Sequence, residues 1–227
     1  MENLLEELTG CIREKRMVWV STVNPEIVLA AQTDAQLRTT IQSADFVLPD
    51  GIALLWAGRT LGAPITERIT GIDLGEKLIE SAAENGYGVY FLGGAPDVAE
   101  KASRRFKERY PTLRVSGTQH GYFTSGEEVQ VVERVRQASP DILFVGMGYP
   151  RQERFLSQNV SALRIPLSLT VGGAMDVWSG NLRRAPDVFI RLGMEWIFRL
   201  LQQPRRIRRQ LKLLQFIFLV IRRKFSL

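Results

Sequence analysis

The sequence predicts an α/β protein built on a doubly wound, mostly parallel sheet, with a basic helical appendage at its C-terminal end. Three observations predict this: short apolar runs alternate with longer amphipathic stretches, the runs show little polar alternation, and charge is divided unevenly along the chain. Apolar runs of this kind are typical of parallel strands covered on both faces. A chain of 227 residues that is 45% hydrophobic can bury one full core, so we expect one domain plus the appendage.

Six apolar runs are predicted as strands because they are short and end at glycine, proline or polar residues. In chain order these strands cover residues 17–23, 46–48, 88–92, 113–116, 142–145 and 167–171.

The amphipathic stretches that alternate with these strands are predicted as helices. In chain order the helices cover residues 25–33, 51–58, 73–84, 96–109, 127–138 and 151–163. This alternation predicts right-handed crossovers, and sheets of this type bind ligands at the carboxyl ends of their strands.

Glycines follow several predicted strands, at Gly93-Gly94, Gly146 and Gly172-Gly173 among others. A glycine turn lets a backbone N–H approach a ligand, and the following helix N-terminus offers donors to an anion. Several such turns at one sheet edge predict a nucleotide or sugar-phosphate ligand. The G-x-G-x-x-G, P-loop and Asp-x-Asp patterns are absent, which disfavours a dehydrogenase, a kinase and a metal-clamped nucleotide-sugar site. With one cysteine and one histidine, we expect no metal site of soft ligands.

Charge separates the chain into two parts. Residues 1–180 carry 18 Lys and Arg against 22 Asp and Glu, a net of −4, whereas residues 181–227 carry 12 against 2, a net of +10. We therefore divide the chain into a core, 1–180, and an appendage, 181–227. The pattern indicates a body held against an anionic surface.

The appendage contains an apolar run, 213–221, with basic residues on both sides. Nine residues at helical rise cover about half of a bilayer core of roughly 30 Å, so we expect a helix that lies in the membrane interface. The alternative is a helix that packs on the body or on another subunit, which leaves a homo-oligomer open. Nucleic acid is disfavoured because the aromatic residues lie inside the apolar run. The single cysteine and the acidic N-terminus predict a cytoplasmic protein.

Seven short motifs, in order between about residues 17 and 209, resemble those of the WecG/TagA/CpsF family of bacterial glycosyltransferases. The motifs are Thr22-x-Asn24, Pro49-Asp50-Gly51, Arg68-x-x-Gly71-x-Asp73, Gly148-x-Pro150-x-Gln152-Glu153, Val171-Gly172-Gly173-x-x-Asp176-x-x-x-Gly180, Arg184-Ala185-Pro186 and Gly193-x-Glu195-Trp196-x-x-Arg199-Leu200.

The resemblance implies a Rossmann-like core that needs no cofactor and transfers a sugar with inversion. The implied donor is a UDP-sugar, typically UDP-N-acetylmannosamine, and the implied acceptor is a sugar, of GlcNAc type, on undecaprenyl diphosphate. It also implies that the appendage meets the inner face of the cell membrane and helps complete the active site. Another UDP-hexose donor, or a nucleotide- or lipid-binding module without catalysis, stays open.

Inverting transfer needs a base near the acceptor hydroxyl and donors for the departing diphosphate. Asp50 is the candidate base, as its counterpart in the family pattern is; the alternative is an N-cap of the following helix. Arg68 is expected to neutralise a phosphate, or else to form a solvated pair with Glu67 or Asp73.

Polar side chains at two other strand ends are candidates for holding the sugars. Thr22 and Asn24 lie at the end of the first strand, and a turn or cap before Pro25 is their alternative role. Gln152 is expected to hold the donor or acceptor sugar, whereas Glu153 fits a partner of the helix dipole in the first turn.

The nucleotide is expected to bind where glycines let the backbone come close. The candidates for this role are Gly172, Gly173 and Asp176, whereas Gly148 and Pro150 are further candidates for binding substrate. The carboxylate of Asp176 is expected to accept a hydrogen bond from ribose or uracil, with a helix cap as its alternative role.

Arg199, Arg206 and Arg209 are spaced seven and three apart, so on one helix they share a face. Guanidinium groups keep their charge and offer bidentate donors, which suits them to a leaving diphosphate. We expect the appendage to fold over the core at the membrane and deliver at least one of them. Their alternative is a purely lipid-facing cluster.

Overall fold

The computed structural model describes residues 1–204 and 207–225. For Arg191 and residues 208–210 it describes the backbone alone. Its six strands form one sheet in the order β2-β1-β6-β5-β3-β4, and every neighbouring pair is parallel. The strands are β1 Val18–Val23, β2 Phe46–Pro49, β3 Gly88–Gly93, β4 Arg114–Gln119, β5 Ile142–Gly146 and β6 Leu167–Thr170. The predicted α/β class and all six predicted strands are confirmed.

The predicted helices are confirmed as well, each within a few residues at its ends. They correspond to α2 Pro25–Thr33, α4 Ile52–Leu61, α5 Gly71–Asn85, α6 Val98–Arg109, α7 Glu128–Ala138 and α8 Arg151–Leu163. The remaining helices are α1 Glu2–Arg13, α3 Ala35–Gln42, α9 Ala174–Trp178, α10 Asp187–Arg191, α11 Glu195–Gln202 and α12 Ile207–Phe225.

Two helices of the core, α1 and α3, were not predicted from the sequence. Each is stabilised by local features of its own segment. α1 buries Leu8, Cys11 and Ile12 at helical spacing. One residue, Asp34, separates the end of α2 from the start of α3. Its side chain accepts a hydrogen bond of 2.9 Å from the backbone N–H of Leu37 and caps the new helix.

The sheet is buried on both faces because successive side chains of each strand point to opposite sides. In β5, Ile142 and Phe144 pack in the cluster with α5 and α6, whereas Leu143 and Val145 pack in the cluster with α7 and α8. The edge strand β4 runs three residues beyond its predicted end, through polar residues that are only partly buried.

The appendage is helical in the structure, with α10, α11 and α12 following residue 180. α12 packs on α2 and α4, where Phe216 and Val220 join Ile27 and Leu54 in a third apolar cluster. Of the helices in the described part of the chain, none has the length and apolarity to cross a membrane. Two of the helices that border the carboxyl edge of the sheet, α2 and α4, are thus in contact with the basic C-terminal part.

Candidate active site

A cavity of about 310 Å³ lies at the carboxyl edge of the sheet. Its walls are the end of β1, the residues that follow β2 and β6, the first turns of α2, α4, α5, α8 and α9, and parts of α11 and α12. Nine sequence-predicted residues line it: Thr22, Asn24, Asp50, Arg68, Gly148, Gln152, Gly172, Gly173 and Arg199.

Two of the predicted residues that the structure describes, Pro150 and Asp176, are not in the cavity lining. Pro150 is the residue before α8, next to the lining residue Tyr149, and Asp176 lies within α9. Arg206 falls outside the described residues, and the side chain of Arg209 is likewise not described. The roles of these four residues stay predictions.

Asp50 follows the last residue of β2, where its backbone N–H donates to the carbonyl of Val23 at 2.7 Å. The cap residue of α4 is Gly51, with φ of 135°, so Asp50 does not have its alternative role as the N-cap of that helix. Its carboxylate instead accepts a long hydrogen bond, 3.5 Å, from the backbone N–H of Gly71 at the start of α5.

Burial raises the pKa of Asp50 to about 6, although Arg199 and Arg68 favour the charged form and lower it. The carboxylate of Glu195 acts in the opposite direction from these arginines and adds to the increase. A carboxyl with a pKa near 6 is ionised at neutral pH and is a stronger base than an ordinary aspartate.

Arg68 and Arg199 are joined by one carboxylate. Nη2 of Arg68 lies 2.7 Å from Oε2 of Glu195, and Nη2 of Arg199 lies 3.2 Å from Oε1 of the same residue. The predicted alternative for Arg68, a pair with Glu67 or Asp73, is therefore wrong. Glu195 itself was missed as a site residue, although it is one of two acidic residues in the appendage and lies within a recognised motif.

Thr22 and Asn24 both use part of their hydrogen-bonding capacity within the fold. The Thr22 hydroxyl donates to the carbonyl of Thr170 at 3.0 Å, so towards a ligand it can only accept. Oδ1 of Asn24 accepts from the backbone N–H of Ile27 at 3.1 Å and caps α2, which leaves the amide nitrogen as a donor. The cap predicted as the alternative for Asn24 is present, and the residue lines the cavity as well.

Gln152 is buried in the cavity wall with a fixed amide orientation. Its Nε2 donates to Oε1 of Glu153 at 2.8 Å, and its Oε1 accepts from the backbone N–H of Gly172 at 3.1 Å. Glu153 is fully buried, and burial raises the pKa of its carboxyl. Glu153 lies in the first turn of α8, as predicted for a partner of the helix dipole, but its burial disfavours the charge that such a partner carries.

Gly148 and Gly172 have positive φ values of 73° and 50°, which lets the backbone turn at the cavity wall. Gly173 is the cap residue of α9, so Asp176, three residues further on, does not cap that helix from its start. The backbone at these positions offers a close approach to a ligand, as expected from the glycine turns.

α12 is fastened to the cavity rim by three polar side chains, which we call the Lys212 latch. Nζ of Lys212 lies 2.9 Å from Oε1 of Glu26 and 3.0 Å from the hydroxyl of Tyr149. The Tyr149 hydroxyl and Oε1 of Glu26 are 3.2 Å apart. Because Glu26, Tyr149 and Leu213 all line the cavity, the appendage forms part of its wall.

An all-parallel sheet with a carboxylate and two guanidinium groups in a cavity at its carboxyl edge defines an enzyme suited to group transfer from a phosphate ester. The sequence profile of the glycosyl transferase WecG/TagA/CpsF family matches residues 1–227. The chain belongs to this family and is a glycosyltransferase, as the seven motifs predicted.

Two similar proteins carry the name N-acetylglucosaminyldiphosphoundecaprenol N-acetyl-beta-D-mannosaminyltransferase. The protein of Bacillus spizizenii is 34% identical over 214 residues, which cover 94% of this chain and 82% of that protein. The protein of Bacillus subtilis is 33% identical over 203 residues, which cover 89% of this chain and 78% of that protein.

Proposed function

We propose that the protein transfers N-acetylmannosamine from its UDP derivative to a GlcNAc-type sugar carried on a polyprenyl diphosphate, with inversion at the anomeric carbon. The observation that carries the proposal is the position of Asp50 beside Arg68 and Arg199 in one cavity. The names of the two Bacillus relatives support the choice of transferred sugar and acceptor.

In this reaction Asp50 accepts the proton of the acceptor hydroxyl. The hydroxyl oxygen forms a bond to the anomeric carbon from the face opposite the nucleotide. The bond between that carbon and the diphosphate oxygen breaks, and its electron pair leaves with UDP. Arg68 and Arg199 stabilise the charge that develops on the diphosphate, so the proposal needs no metal or cofactor. Arg206 and Arg209 are proposed to add to this charge.

The remaining wall residues are proposed to hold the two sugars and the nucleotide. Thr22, Asn24 and Gln152 offer polar atoms to the sugars. The glycine turns at Gly148, Gly172 and Gly173 leave room for the nucleotide, with Pro150 shaping the neighbouring turn and Asp176 accepting from ribose or uracil.

The appendage is proposed to rest on the anionic inner face of the cell membrane, with the body in the cytoplasm. The face of α12 turned away from the body carries six exposed apolar residues at intervals of four and three. We call it the outer stripe; it consists of Ile207, Leu211, Leu214, Phe218, Ile221 and Phe225.

An apolar stripe beside basic residues suits a helix lying in the membrane interface. The last turn of α12 carries the basic residues Arg222, Arg223 and Lys224. The same stripe suits contact with a second copy of the chain, so we expect self-association to compete with membrane binding.

The proposal is tested by following UDP release with a panel of UDP-sugars and a short-chain lipid-diphosphate-GlcNAc acceptor, with and without EDTA. Acceptor-dependent release from UDP-N-acetylmannosamine alone, unaffected by EDTA, is the expected result. Release from a different UDP-hexose would overturn the proposed donor. Binding of UDP without turnover for any donor and acceptor would favour a non-catalytic module.

A further inference from the structure

The charged groups around Asp50 come from two separate parts of the chain. Arg68 belongs to the segment between α4 and α5, whereas Glu195 and Arg199 belong to α11 in the appendage. Glu195 has one oxygen on each arginine, at 2.7 and 3.2 Å, and is more than four-fifths buried. Its carboxylate therefore fixes a core guanidinium and an appendage guanidinium relative to each other.

We infer that Glu195 is a positioning residue of the transfer reaction, which holds Arg68 and Arg199 in place for the diphosphate. The inference rests on the proposed function and gives a role to a residue that the motifs contain but to which the resemblance assigned none.

The ion pairs to Glu195 position the two guanidinium groups without using all of their N–H donors. Each guanidinium carries five N–H donors in a fixed plane, and the ion pairs to Glu195 use Nη2 of each. The other donors remain for phosphate oxygens. Glu195 is also the first residue of α11, where the helix dipole favours a negative charge.

The charge balance gives Glu195 its second effect. Arg68 and Arg199 both favour ionised Asp50, and two uncompensated guanidinium groups would make it a weak base. Glu195 is the described acidic side chain that acts on Asp50 in the opposite direction, since it disfavours a second negative charge nearby. Removing its charge is therefore expected to lower the pKa of Asp50.

The test compares the wild-type protein with Glu195→Gln, which keeps the shape of the side chain and removes its charge. For Glu195→Gln we expect a loss of roughly tenfold or more in kcat/KM. The acid limb of the pH profile of kcat/KM in this variant is expected to move to lower pH. The reason is that Asp50, as a weaker base, stays ionised to a lower pH. Glu195→Asp, which restores the charge, is expected to recover part of the rate and the original midpoint. Asp187→Asn, which removes an exposed acid from the first turn of α10, is the matched control and should change neither.

A second readout does not depend on turnover. The side-chain carboxyl carbon of Asp50 is followed by NMR in protein labelled with carbon-13 at aspartate, and its signal is identified by its loss in Asp50→Asn. A lower titration midpoint in Glu195→Gln than in wild type supports the inference even if the donor or acceptor has been wrongly chosen. An unchanged midpoint overturns it, as does a folded Glu195→Gln with wild-type kcat/KM. So does a loss of rate that Glu195→Asp does not recover. Thermal unfolding of each variant shows whether it is folded.

Discussion

Nε2 of Gln152 donates a hydrogen bond of 2.8 Å to Oε1 of Glu153, its neighbour in sequence, and both side chains are buried beneath the start of α8. The second carboxyl oxygen of Glu153, Oε2, has no hydrogen-bond partner. Burying an ionised carboxyl is costly, and burial raises the pKa of Glu153. The orientation of a cavity residue thus depends on a carboxyl whose charged form the fold disfavours.

Glu153→Gln is expected to change how stability depends on pH. The pKa of Glu153 is raised in the folded state, so the wild type loses stability as pH rises from the unfolded value through the folded one. Glutamine accepts the same hydrogen bond from Gln152 and cannot ionise. We expect the variant to be more stable than wild type at pH 8 by a few degrees in Tm, the effect of about 1 kcal/mol in a domain of this size, and to lose this advantage at pH 4.

The control for Glu153→Gln is Glu133→Gln on the exposed side of α7. Hydrogen bonds from Arg136 and Gln137 lower the pKa of Glu133 to about 2, so its contribution is present at neutral pH and lost in acid. The two variants should therefore differ from wild type in opposite directions at pH 8. Equal pH dependence of Tm in wild type and Glu153→Gln would contradict a raised pKa of Glu153 in the folded state.

Asp50→Asn is expected to lower kcat by at least about 100-fold, since it removes the group that accepts the acceptor proton. UDP affinity measured by calorimetry should change little, because Asp50 does not belong to the predicted nucleotide end. In the wild type, kcat/KM should rise with pH to a plateau with a midpoint near the pKa of about 6, as Asp50 becomes ionised. Near-normal turnover in Asp50→Asn would remove Asp50 from the mechanism.

Much of this site could be predicted because parallel strands deliver their carboxyl ends to one edge. Thr22, Asp50 and Gln152 are far apart in sequence, yet each lies at or just after the end of a strand, and the strand pattern alone places them together. Glu195 could not be found in that way. It follows no strand, and its importance comes from an ion pair with Arg68, 127 positions earlier, which local pattern does not contain.

The surroundings of Glu153 and Lys212 also depend on tertiary contacts that local sequence pattern does not contain. At the start of a helix, a glutamate is most simply a dipole partner, and only packing shows that Glu153 is buried. Lys212 is one of many basic residues in the appendage. Its contact with Glu26 depends on where α12 lies over α2, which charge composition cannot specify.

Opening the Lys212 latch is expected to weaken activity moderately. Lys212→Met removes the ion pair with Glu26 and the hydrogen bond to Tyr149, while keeping a long apolar side chain beside α2. A partly exposed ion pair contributes about 0.2–1 kcal/mol, so we expect a fall of up to about fivefold in kcat/KM. Steady-state kinetics on a short-chain acceptor measures this loss separately from membrane binding.

Lys224→Met, at the far end of α12, removes the same charge without touching the cavity and serves as the control. In a double-mutant cycle, the losses in Glu26→Gln and Lys212→Met should be less than additive, because both variants break the same ion pair. Full additivity, or equal losses in Lys212→Met and Lys224→Met, would show that the latch does not couple α12 to the site.

Membrane binding is expected to depend on the outer stripe rather than on the buried face of α12. Phe218 is 68% exposed in the stripe, whereas Phe216, two residues earlier, is 3% exposed against the body. Burying a phenylalanine side chain in an apolar environment is worth about 1.5–3 kcal/mol, so Phe218→Ser should weaken partitioning into anionic vesicles by roughly 10- to 100-fold.

Gln215→Ser, at an exposed polar position of the same helix, should leave partitioning unchanged. Vesicle sedimentation at two salt concentrations measures both variants, and wild-type binding should weaken at higher salt because basic residues contribute to it. If Phe218→Ser instead abolishes self-association in solution and leaves vesicle binding intact, the stripe is an interface between copies of the chain. That result would overturn its proposed contact with lipid.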